Sequence, residues 1–226
     1  MVMRELIRGG ETMLAYTDKY WMMMAPLVKR SIVKRYGREF ASQTMRQAKG
    51  IYREMLGRVD DIGKGNPMAF NIYTCFVCLA VWKAADGKIS KDGLREITED
   101  VMRFPPLRLM GVFANMNTPR GVRIVRNMMY KNAAWLDNHP EYSSVSWDFN
   151  FDESKHRDGF YYHFTQCPLE AFARREGLLD ILPVMCEIDH LTAGLLHAVL
   201  HRESTLASGG AVCDYWFYGD RIADPQ

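Results

Sequence analysis

The spacing of apolar residues changes near residue 140, and that change restricts the fold more than any other feature of the chain. Before it, the spacing is helical. Over 41–59, Met45, Ala48, Ile51, Tyr52, Met55 and Leu56 mark one face, and Arg46, Lys49, Arg53 and Glu54 take the other. The run 69–83 is apolar nearly all round, which predicts a buried central helix. A turn follows over 84–93, and Leu94, Ile97 and Val101 mark another helix face that Pro105 and Pro106 end. Thr118 and Pro119 read as the N-cap and first residue of a helix running to about 136. Beyond His139-Pro140 the period becomes two. Trp147, Phe149 and Phe151 alternate with Asp148, Asn150 and Asp152, as in a half-buried strand. Phe160 to Cys167 reads as a second strand, antiparallel to the first across an Arg157-Asp158-Gly159 turn. Pro168 opens a short helix that Gly177 closes, and Leu179 to Leu196 is a further helical pattern. Ala198–Ala207 and Ala211–Tyr218 read as two strands joined at Ser208-Gly209-Gly210. The expected class is α+β: a helical region, 1–140, packed on a C-terminal antiparallel sheet with one or two helices, 141–226, the two forming one integrated domain.

Charge and composition narrow the function. Lys and Arg total 29 against 27 Asp and Glu, so no basic field argues for nucleic acid, and Arg120, Arg123 and Arg126 read as a solvated face. The longest apolar run, Ile72 to Trp82, falls short of the roughly 20 residues a membrane span needs. Near the start, Arg4, Glu5 and Arg8 interrupt any apolar core of a signal peptide, so none is expected. The 5 cysteines sit at irregular spacing, which predicts reduced thiols in a cytoplasmic protein. Cys75 and Cys78 form a C-x-x-C, but among Phe76, Val77, Leu79 and Ala80 in mid-helix they read as core. Asp86 to Ser90 resembles the middle of a calcium loop, yet Trp82 and Gly93 stand where oxygen ligands belong, so Ser90 reads as a helix cap.

The last third carries the reactive residues. Cys167 stands where a strand ends and a helix begins, and the helix N-terminus would favour its thiolate. Cys186, Asp189 and His190 fall at i, i+3 and i+4 and can share one helix face. A thiol beside a carboxylate and an imidazole suits nucleophilic or general-base hydrolysis. Cys213 and Asp214 are consecutive on a strand, so only one of them can face a given pocket. Ser208-Gly209-Gly210 offers backbone N–H groups as an anion cradle; the plainer reading is a glycine hairpin beside buried thiols. His163 lies four residues before Cys167, too far along a strand for direct pairing, but within reach of the same pocket. Three Cys and a His would suffice for zinc, but the short ligand pairs of zinc sites are missing, so no metal or other cofactor is expected.

These residues, in order, carry a resemblance. Cys167-Pro168-Leu169, Gly177-Leu178, Pro183 to Cys186 with Asp189, Arg202, Thr205-Leu206-Ala207, Gly209-Gly210, and Cys213-Asp214 followed by Tyr215 and Phe217 resemble the L-2-amino-thiazoline-4-carboxylic acid hydrolase family. The resemblance covers about the last sixty residues and implies hydrolysis of a cyclic isothiourea to N-carbamoyl-cysteine. A nucleophile must add at the ring carbon between nitrogen and sulfur, and the ring sulfur must leave. Cys186 is expected as nucleophile or essential thiol, Asp189 as its base or orienter, and Cys213 as the reserve nucleophile; alternatively Asp189 or His190 activates water. Arg202 is expected to pair the substrate carboxylate, with Cys167, His163, His190, Thr205, Gly209, Gly210 and Asp214 lining the site. The expected partner is a small-molecule substrate, without nucleic acid or membrane, and with homo-oligomerisation left open. A sensor or carrier that holds a small ligand without chemistry is the competing reading.

Overall fold

The computed structural model describes residues 19–226 with their side chains, except that of Arg108, and residues 2–18 as backbone alone. The chain divides into two compact units, Met1–Val101 and Met102–Gln226.

The first unit is helical: α1 (Val2–Tyr36), α2 (Arg38–Leu56), α3 (Ala69–Ala85) and α4 (Lys91–Met102). Gly37, at φ 85°, separates α1 from α2. α3 packs against both α1 and α2 and buries Ile72, Tyr73, Phe76, Val77, Leu79 and Val81, so it is the central helix that its all-round apolar sequence predicts. Asp86 takes the left-handed conformation after α3, and Ser90 Oγ accepts the Gly93 amide at 3.0 Å, capping α4. Cys78 lies in the core, where burial pushes its thiol up to about 12.

The second unit begins with a 3₁₀ turn (Pro105–Leu109), α5 (Met110–Phe113) and α6 (Pro119–Asp137), whose N-cap Thr118 accepts the Gly121 amide at 3.0 Å. The sheet follows: β1 (Asn150–Phe151), β2 (Phe160–Phe164), β3 (Ala198–His201) and β4 (Cys213–Gly219), in the order β1-β2-β4-β3, every pair antiparallel. The helices α7 (Pro168–Arg175), α8 (Leu182–Cys186) and α9 (Ile188–Leu195) lie between β2 and β3 in the chain. The protein is α+β.

Three strands are shorter than their sequence patterns because side chains claim backbone amides that a ladder would use, and one helical pattern is interrupted. The strand expected over 147–151 reduces to two residues. Asp148 turns its carboxylate onto the amides of Thr165 at 2.8 Å and Gln166 at 2.6 Å, which also ends β2 at Phe164. The strand expected over 198–207 stops at His201, because the Asp214 carboxylate takes the amides of Glu203 at 2.9 Å and Ser204 at 2.7 Å. The helical pattern over 179–196 breaks into α8 and α9 at Glu187.

Candidate active site

The period of β4 sets the site. Cys213, Tyr215 and Phe217 point to one face, and their register partners on β2 are Phe164, Tyr162 and Phe160. Asp214 and Trp216 point to the other. On the first face the Tyr215 ring lies on the Tyr162 ring, centroids 4.9 Å apart and 5° from parallel. The Arg202 guanidinium sits over the Tyr215 ring, 4.2 Å from its centroid. Arg202 leaves the end of β3, and its side chain is only 5% exposed. Its charge is met in three directions: Nη2 donates to Asp189 Oδ2 at 2.7 Å, Nη1 to the Cys186 carbonyl at 3.1 Å, and Nε to the Asp214 carbonyl at 3.2 Å. Tyr215 Oη donates to the same Asp189 Oδ2 at 3.1 Å. Asp189 stands in the first turn of α9, and its side chain remains 39% exposed. A buried cation and a half-buried phenol thus grip one carboxylate oxygen, while the carboxylate side chain stays partly open to solvent.

Around this pair stand three thiols. Cys186 ends α8, Cys167 is the N-cap of α7, and Cys213 opens β4. They are close enough to influence one another's ionisation. Burial raises all three. The thiol of Cys167 is pushed up to about 12 by desolvation, against the pull of the Glu170 and Leu169 amides and of Trp147. The helix N-terminus therefore does not make Cys167 a thiolate. The ~0.3–1 kcal/mol that a helix end supplies is smaller than the cost of a buried charge, so the first-turn amides do not offset burial. The Cys186 thiol is raised by burial, then by the negative Asp189 beside it. Cys213 is raised by burial too, but its sulfur accepts the Leu206 amide at 3.2 Å, and that donor and Arg202 work in the opposite direction.

The other expected site residues take different places. Asp214 faces away from the thiols and braces the 203–204 turn, so its carboxylate is spent on structure. Thr205 caps a 3₁₀ turn (Leu206–Ser208) by accepting the Ser208 amide at 3.1 Å. The amides of Ser208, Gly209 and Gly210 all donate within that turn, which leaves no cradle there for an oxyanion. Gly210 is required for packing, since a Cβ there would lie 2.8 Å from that of Ser204. His163 pairs in register with Asp214, on the sheet face opposite the thiols. Its Nδ1 is buried without a hydrogen bond. His190 is exposed beside Asp189, and partial desolvation, then the Arg202 charge, lower its pKa. Arg202 is consumed by protein groups and is not an open receptor for a substrate carboxylate.

Tyr215 and Tyr162 belong to the site and were not singled out from sequence as site residues. Two-residue alternation from Cys213 was the available clue, because it places Tyr215 on the thiol face. Among the described residues, no three His, Cys, Asp or Glu side chains converge as a metal site would require, and no helix is long and apolar enough to cross a membrane. A cleft of about 330 Å³ lies at the far end of the sheet, lined by Asn117, Arg157 and Arg221 among others, and contains neither Asp189 nor a thiol.

Comparison with known proteins adds one result. The sequence model of the L-2-amino-thiazoline-4-carboxylic acid hydrolase family matches residues 71–217, a span that includes all three thiols, Asp189, Arg202 and Tyr215. No curated protein and no solved structure matches the chain.

Proposed function

The chain belongs to the L-2-amino-thiazoline-4-carboxylic acid hydrolase family, whose model spans more than half of it, and from that premise we propose that it hydrolyses a small ring carrying carbon bonded to both nitrogen and sulfur. The observation that carries this reading is the Asp189 carboxylate, fixed through Oδ2 and open to solvent. In the scheme we favour, Asp189 takes one proton from water as the water oxygen bonds to the ring carbon and the π pair of the ring C=N bond moves onto nitrogen. The carbon–sulfur bond then breaks with its electron pair on sulfur and a C=O forms as the proton of the added hydroxyl passes to the ring nitrogen, while the proton held by Asp189 passes to the departing sulfur. The sum is ring plus water giving a ring-opened urea and a thiol.

Water is favoured over a thiol nucleophile because burial keeps Cys167, Cys186 and Cys213 protonated at neutral pH. Cys186 then lines the site beside the base. A covalent scheme remains the second reading, and it favours Cys213 over Cys186, because the Cys213 sulfur accepts the Leu206 amide whereas the Cys186 thiol lies beside the negative Asp189. Reduced thiols in this site fit a cytoplasmic setting.

The test is direct. Purified protein is incubated with 2-aminothiazoline-4-carboxylate and a panel of related rings, and new thiol and N-carbamoyl-cysteine are followed. Turnover supports the hydrolase, and saturable binding without turnover across the panel supports a sensor or carrier instead. Cys186→Ser and Cys213→Ser should each retain kcat within about tenfold under the water scheme. Loss of turnover in one of them assigns the nucleophile to that thiol.

A further inference from the structure

We infer that Tyr215 is a positioning residue that divides the work between the two oxygens of Asp189, reserving Oδ1 for chemistry; this rests on the hydrolase reading above. The division is visible in the hydrogen bonds. Oδ2 accepts from Arg202 Nη2 and from Tyr215 Oη, at 2.7 and 3.1 Å. Among the described residues no hydrogen bond reaches Oδ1, although the side chain is 39% exposed. A carboxylate anchored only by Arg202 would have a soft torsion about its last bond, because that torsion is broad and roughly two-fold. A second donor from a different direction removes the freedom.

Tyr215 is built to be such a donor. Its ring is clamped between the Tyr162 ring and the Arg202 guanidinium. Burial, and then the charge of Asp189, raise its pKa, so the phenol keeps its proton and stays a donor at any working pH. It neither contacts the reacting atoms nor carries the transferred proton. It acts through Asp189 alone, and a base held to within a fraction of an ångström is where fixed geometry repays itself in rate.

Tyr215→Phe removes the hydroxyl and keeps the ring stack. It should lower kcat by about 10- to 100-fold and leave KM within about twofold. If Tyr215 works through Asp189, the same change made in Asp189→Asn should cost no more than about twofold further, since the two residues act as one unit. A readout independent of turnover is the ¹³C chemical shift of the Asp189 carboxyl carbon, assigned by its loss in Asp189→Asn. Tyr215→Phe should move that signal. Tyr162→Phe, which removes the neighbouring buried phenol and no bond to Asp189, should leave it in place. A protein that opens none of the rings tested would sink the hydrolase reading while the carbon signal still decides whether Tyr215 holds Asp189. The inference is overturned if Tyr215→Phe leaves the carbon signal and kcat unchanged. It is equally overturned if Tyr215→Phe costs the same factor with and without Asp189.

Discussion

Each of the two units contains an aspartate gripped by an arginine, and the pairs differ in how the carboxylate is occupied and in how each partner is exposed. In the helical unit, Arg35 of α1 holds Asp100 of α4; Ser31 donates to the same Asp100 oxygen at 2.9 Å, and Lys34 approaches the other oxygen at 3.6 Å. Arg35 also reaches Glu96 at 2.7 Å. Both oxygens of Asp100 are occupied, and its side chain is 18% exposed. In the sheet-bearing unit, Arg202 holds Asp189 by one oxygen and leaves the other open. The arginine is more deeply buried there, 5% against 18%, and the aspartate more exposed, 39% against 18%. A saturated carboxylate ties two helices together. A carboxylate anchored through one oxygen and partly open to solvent keeps a lone pair for something else.

The sharpest way to break that comparison is to neutralise each carboxylate. Asp189→Asn should lower kcat by roughly 10²–10⁴, the range for loss of a general base, and should also lower the unfolding midpoint, because it leaves the buried Arg202 cation without its counter-charge. Asp100→Asn should lower the unfolding midpoint while leaving kinetics near parental. Steady-state kinetics and thermal melts of both proteins decide it, and comparable rate losses in the two would erase the distinction.

Thiol reactivity sharpens the comparison next. Cys78 in the helical core and Cys167 in the site are both pushed up to about 12 by burial. At pH 8 the thiolate fraction of each is about 10³ below that of an unperturbed cysteine, so iodoacetamide should label both slowly in the folded protein. Cys167, half-buried, should gain rate about tenfold per pH unit up to about pH 11, as its thiolate fraction grows. Cys78, at 2% exposure, should stay inert until the unit opens. Rapid labelling of Cys167 at pH 7 would mean that it is already a thiolate, and would revive the covalent scheme.

Arg202→Lys comes third. A receptor for the substrate carboxylate would show the loss in KM. The structure instead makes Arg202 the anchor of Asp189, the Cys186 carbonyl and the Asp214 carbonyl, and lysine cannot replace a planar fork that donates in three directions. The expected result is a fall in kcat of about 10- to 100-fold with KM within about threefold.

How much of this was legible in the sequence follows from which interactions are local. Helical spacing located α2, α3 and α6, because burying one face of a helix is written at fixed intervals along it. Alternation gave the right strands and the right antiparallel class. It overran their ends at 147, 165 and 202, because Asp148 and Asp214 reach across the fold to take amides that the ladder would use. Such bonds span 10 to 18 residues and leave no local pattern. Which of the singled-out residues come together was legible only in part, and their roles were not. Cys186, Asp189, Arg202 and Cys213 do converge. Spacing placed Asp214 opposite Cys213, but it carried no information that Arg202 would turn inward to Asp189 or that burial would outweigh the helix end at Cys167.

The smallest effect tests the structural pair. The Arg35 hydrogen bond holds the Asp100 carboxyl down at about 2, with burial opposing and Ser31 assisting. The unfolded chain titrates this group near 3.8. A carboxyl whose folded value is depressed binds fewer protons in the folded state across that interval, so protonation favours unfolding there. Its contribution is therefore complete above about pH 4 and disappears as the pH falls through about 2. With both partners partly exposed, solvent screening leaves about 1–2 kcal/mol, less than the full shift would imply. Urea unfolding of the parent and of Asp100→Asn between pH 5 and pH 2 measures this contribution. Their stability difference should shrink by that amount on acidification, since the asparagine cannot titrate, and a difference constant over the whole interval would mean that Asp100 is not depressed and that the saturated pair contributes no more than packing.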